Sequence, residues 1–139
     1  MNLLQSFVNS ASRNHLILSN GCLEAFNYVN IGYEISSYIE PIIGDRRLSM
    51  RVQDKLNTLL RDSVSQLEDL GAYLAITNIG ILFEPSLRLN VRLLFESISH
   101  DTLLVVCSDG IVQNDTFHFV KPTDGFGISL SGLSFLVIE

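Results

Sequence analysis

The chain has 139 residues, 47% of them apolar and 17% charged, with a net charge of −6. That length makes one domain, residues 1–139, with a core that needs no disulfide or metal staple. The acidic balance excludes a general electrostatic grip on nucleic acid, which needs a basic stripe, and no apolar run reaches the ~20 residues of a membrane span.

In chain order, residues 3–12 carry Leu3, Leu4, Phe7, Val8 and Ala11 at the spacing of a short amphipathic helix. Residues 15–19 read as a buried strand, the turn Ser19-Asn20-Gly21 follows, and residues 22–26 read as a helix. Residues 28–31 form a short strand, residues 33–39 a helix stopped by Pro41. The longest helical signal spans residues 49–70, where Val52, Leu56, Leu59, Leu60 and Val64 recur every three or four positions and Gly71 serves as the cap. Residues 72–76 are an apolar strand; Pro85 opens a helix whose inner face holds Leu87, Val91, Leu94, Phe95 and Ile98. Residues 102–107 are a second strongly apolar strand. A hairpin over 111–120 turns at 113–115, residues 122–127 are loop, and 133–138 form a last strand. Unbroken apolar strands separated by helices predict an α/β domain: a mostly parallel sheet flanked by helices, with a β-rich C-terminal end.

Cys22 and Cys107 sit in apolar stretches and read as two reduced, buried thiols. With His15, His100 and His118 they give no zinc spacing, and no metal is expected. The N-terminus has no early positive charge and no small-residue cleavage site, so a cytoplasmic location is expected. Glu84 and Asp109 both follow strands, where a carboxylate pair could serve as acid and base. Glu84-Pro85 also suits a helix start and Asp109-Gly110 a turn, and these readings are preferred. Arg47, Arg51 and Lys55 share one face of the long helix and, with Arg46, form the main basic patch, interleaved with Asp45, Asp54 and Asp62.

The segment Tyr73 to Leu87, followed by 93–99, 102–106 and Val120-Lys121-Pro122, resembles the BrxF family of small P-loop proteins in type III BREX phage-defence systems. The resemblance implies a P-loop-NTPase-like fold, with the phosphate loop at residues 19–26 and a strand-end acid at Thr77, next to Asn78. This chain departs from the family at both places. It has no second glycine and no Lys at residues 19–26, and Thr77 has no charge to offer a divalent cation. Ser19, Asn20, Gly21, Thr77 and Asn78 are therefore vestigial cofactor-binding positions, and no cofactor and no catalytic residue is expected. The resemblance implies a non-catalytic adaptor or assembly subunit of a prokaryotic anti-phage system, with other defence proteins or a second copy as partners. The alternatives are a nucleotide-binding ATPase-like protein with an atypical loop, and an accessory factor touching DNA through Arg46, Arg47, Arg51 and Lys55.

Overall fold

A computed structural model describes residues 3–113, 115–118 and 127–138. Among these residues nine strands and four α-helices follow one another: α1 (Leu3–Val8), β1 (Leu16–Ser19), β2 (Tyr28–Asn30), α2 (Ile31–Ile39), α3 (Leu48–Asp62), β3 (Ser65–Leu67), β4 (Gly71–Thr77), α4 (Val91–Asp101), β5 (Leu103–Cys107), β6 (Ile111–Gln113), β7 (Thr116–His118), β8 (Gly127–Ser129) and β9 (Phe135–Ile138). Five strands, in the order β2-β4-β5-β1-β9, are parallel throughout, and β3 pairs antiparallel with β4. Strands β6, β7 and β8 form a small antiparallel sheet. The domain is therefore α/β, a mostly parallel sheet flanked by helices.

The central strands explain this arrangement. All residues of β1 and β5 are buried, so both faces of the sheet must be covered. Leu16, Leu18, Leu74, Ile76, Leu104 and Val106 face one layer, with Ile35, Val52, Leu56, Leu60, Val91 and Phe95 of α2, α3 and α4. Phe117, Ile128, Leu130 and Leu133 complete that layer from the small sheet and the chain after it. Ile17, Tyr73, Ala75, Leu103 and Val105 face the other way, under Phe7 and Val8 of α1 and Leu23 and Phe26 of the β1–β2 connection. Chirality accounts for the split. The chain leaves β1 toward the β2 edge, then steps back through β4 and β5 to β9. Right-handed crossovers place the first connection on one face and all the later ones on the other.

Several sequence expectations change. Residues 22–26 form turns, not a helix. Tyr28 lies level with Ala75, and Ser19, Cys107, Thr77 and Asn30 share one level, so the connection crosses the top of the sheet without descending its length. The long helix stops at Asp62, and Ser65–Leu67 turns back onto β4. The reason is ladder satisfaction. β4 is seven residues long, β2 covers only Ala75 to Thr77, and β3 pairs with Gly71 to Tyr73. Gly71 is the positive-φ residue of this hairpin (φ +79°), not a helix cap. The helix expected from Pro85 is a single 3₁₀ turn, Pro85–Leu87, broken at Arg88 (φ 53°); α4 starts at Val91 behind the Asn90 N-cap, whose side chain accepts the Leu93 N–H at 3.0 Å. The final strand is shorter than expected, Phe135–Ile138. Most of the loop placed at 122–127 lies outside the described residues, while Gly127 belongs to β8.

Phe95 is fully buried beneath α4 and Leu93, on the opposite side, is 56% exposed. Phe95→Ala should cost about 3–5 kcal/mol in urea unfolding and Leu93→Ala less than about 0.5 kcal/mol.

Candidate functional site at the carboxyl ends of the strands

Ligands in open parallel sheets sit beyond the strand carboxyl ends, where connections diverge to opposite sides. In this sheet that point lies between β1 and β5: the chain departs from β1 toward β2 and from β5 toward β9. A crevice of about 290 Å³ opens there, lined by Leu18, Ser19, Asn20, Ser108, Gly110, Val112, Phe117 and Val137. Every lining side chain among the described residues is uncharged at neutral pH.

The expected cofactor-binding residues lie at this end in two groups. Ser19 ends β1 and Asn20 and Gly21 follow it; Thr77 ends β4 and Asn78 follows it, two strands and roughly 10 Å away. The first group is occupied locally. The Ser19 hydroxyl donates to the Gly21 carbonyl, the Ser19 carbonyl accepts the Ser108 N–H at 2.9 Å, and the Asn20 N–H donates to the Ile138 carbonyl at 3.2 Å. Because residues 22–26 are not helical, no helix dipole points at this turn. The second group holds the start of α2. Asn78 takes a left-handed backbone (φ 56°), and its Nδ2 donates at 2.8 Å to Asn30 Oδ1, which also accepts the Tyr33 N–H at 2.9 Å as the α2 N-cap. Gly32 makes room for this contact: a Cβ there would lie 2.2 Å from Asn78 Nδ2. The Thr77 hydroxyl donates to the Cys107 carbonyl at 3.3 Å.

The carboxylates and the basic patch are placed separately. Glu84 caps the Pro85–Leu87 turn, accepting the Ser86 hydroxyl at 3.1 Å. Asp109 is exposed in the turn after β5. Among the described residues no group of three or more His, Cys, Asp or Glu could hold a metal ion. Arg46 and Arg47 are exposed just before α3. Arg51 instead pairs with Asp45 at 2.7 Å, and the Lys55 ammonium lies 5.6 Å from the Tyr38 ring. The Arg47 N–H and then the Arg51 guanidinium hold the Asp45 carboxyl below its ordinary range, and Asp45 in turn raises Arg51. Two of the four basic side chains are thus engaged within the chain, and the patch is partly neutralised.

Sequence reasoning missed the residues that fix the β1–β2 connection. The Tyr28 hydroxyl accepts the Leu23 N–H at 2.9 Å, the Tyr73 hydroxyl accepts the Asn27 N–H at 3.1 Å, and the Phe26 and Tyr73 rings lie 4.9 Å apart. A tyrosine inside the otherwise apolar strand β4 was the available signal, since a buried phenol needs a partner. Cys22 is exposed in this connection, contrary to expectation, and its Sγ lies 2.6 Å from Sγ of buried Cys107. Burial, then the hydrogen bond to Cys22, pushes the Cys107 thiol up to about 11; burial likewise raises Tyr28, against the lowering effect of the Leu23 N–H. Compared with known proteins, the chain matches no family model, no curated protein and no solved structure.

Two outcomes follow. Asn78→Ala puts a left-handed backbone on alanine and strips Asn30 Oδ1 of one of its two donors, so chemical unfolding should show a loss of about 1–3 kcal/mol. The unfolded Cys107 thiol ionises from its ordinary value near 9 while the folded one keeps its proton to about 11. Stability is therefore complete below pH ~9 and falls as pH rises through ~11, because the unfolded state releases its proton first. Raised Tyr28 acts in the same direction at higher pH. Melting temperature measured across this window should fall, and less steeply in Cys107→Ala.

Proposed function

We propose that this chain is a non-catalytic adaptor or assembly subunit of a prokaryotic anti-phage defence system of the BREX type, with a degenerate P-loop-like fold, acting through protein contacts. The observation that carries the reading is an open groove of about 490 Å³ between α3 and α4. Its floor is Leu74 of the sheet; its walls include Leu56, Leu60 and Val64 on one side and Leu93, Leu94 and Ile98 on the other. Leu93 is 56% and Val64 39% exposed, and Gln53, Asn57, Arg61, Ser97 and Asp101 form a polar rim. An apolar trough between two helices, rimmed by both signs of charge, suits the apolar face of an amphipathic helix from a larger defence protein. The uncharged crevice after β1 supports the non-catalytic half of the reading. Phosphoryl transfer works by placing cations around the transferring phosphate, and the described lining of this crevice presents none.

The test is co-expression with the proteins encoded beside this chain, followed by size-exclusion chromatography. A complex is expected with one of them, weakened at least tenfold by Leu93→Asp at a cost in stability under about 1 kcal/mol. A complex indifferent to Leu93→Asp overturns the groove assignment. Tight magnesium-dependent ATP binding by calorimetry, abolished by changing Asn20 or Gly21, overturns the non-catalytic reading.

A further inference from the structure

The protein has two cysteines, 85 positions apart, and the fold brings their sulfurs to 2.6 Å. That is within about 0.6 Å of an S–S bond. The two stand in unlike settings. Cys107 ends β5 in the middle of the sheet and is 7% exposed; Cys22 is exposed in the connection after β1. The surroundings hold the pair together from both sides. The Thr77 hydroxyl donates to the Cys107 carbonyl, and the Tyr28 hydroxyl accepts the N–H of Leu23, the residue after Cys22. One reachable sulfur beside one shielded sulfur is the arrangement in which a first thiolate attacks a small disulfide in solvent and a second resolves the mixed product.

We propose that Cys22 and Cys107 are a reversible dithiol–disulfide site, oxidised by exchange with a low-molecular-weight disulfide such as oxidised glutathione. The Cys22 thiolate attacks one sulfur of the small disulfide, forming a mixed disulfide and expelling one small thiolate, which takes up a proton. Cys107 then gives up its proton to solvent and attacks Cys22 Sγ, and the second small thiol leaves. The protein loses two protons and two electrons, and one small disulfide takes them up to become two small thiols. The product tethers the helix-free connection to the central strand, a loop closure of 85 positions, and a reducing thiol pool reverses it. Sites of this kind inside cells are transient and sense redox poise.

The experiment incubates the native full chain with graded ratios of oxidised to reduced glutathione, followed by intact mass and non-reducing peptide mapping. The expected result is a monomer two hydrogen masses lighter, with the Cys22 and Cys107 peptides linked, and a melting temperature raised by roughly 5–15 °C. Cys107→Ser should stop at one stable glutathione adduct on Cys22; Cys22→Ser should remain largely unmodified. Independent adducts on both cysteines of the wild type overturn the proposal. So do cross-linked dimers alone, or linkage that forms only in denaturant.

Discussion

Two strands that bury every side chain dictate the rest of this molecule. β1 and β5 lie side by side in the sheet and leave no face for water. Each face needs a cover, and chain handedness divides the covers unequally. One face receives three helices and the small sheet; among the described residues the other receives α1, the short connection after β1 and Leu67 and Leu70 of the β3–β4 hairpin. That connection must therefore act as both crossover and lid. It does so with aromatic anchors in place of a helix: Phe26 packs on Tyr73, and two phenols accept backbone N–H groups that helical bonds would otherwise satisfy.

The same arrangement governs the chemistry at the sheet's upper end. A phosphate site after β1 needs a helix start and a cation; this chain has turns at residues 22–26, and the described residues lining the crevice are uncharged. The polar residues there serve the scaffold. Ser19 and Asn20 extend the pairing with β5 and β9, and Asn78 with Asn30 starts α2. The α3–α4 groove is where apolar side chains face outward, Leu93 and Val64 above a buried Leu74.

Much of the scaffold was legible in the residues. Unbroken apolar runs marked β1, β4 and β5, and four-residue spacing marked Val52, Leu56 and Leu60 on α3. The errors have physical causes. Leu23 and Phe26 are three apart, as on a helix, but their spacing reflects a turn whose ring is drawn to Tyr73. Leu87 and Val91 keep helical spacing across a left-handed Arg88, so one periodic pattern spans two elements. Ser65–Leu67 lacks strand composition and pairs because β4 has bonds to fill. At the candidate site the turn at residues 19–21 was visible, but the sulfur pair was not: nothing local in either cysteine's neighbourhood encodes a contact across 85 positions.

β1 also carries a burden in time. Its residues pair with Leu104–Cys107 on one side and Phe135–Ile138 on the other, both far downstream. While a ribosome builds the chain at ~5–20 residues per second, this greasy tetrapeptide waits several seconds for its first neighbour and longer for its second. The nascent protein therefore leaves the exit tunnel with its future centre unprotected, and a holding chaperone would find its target near the first strand made.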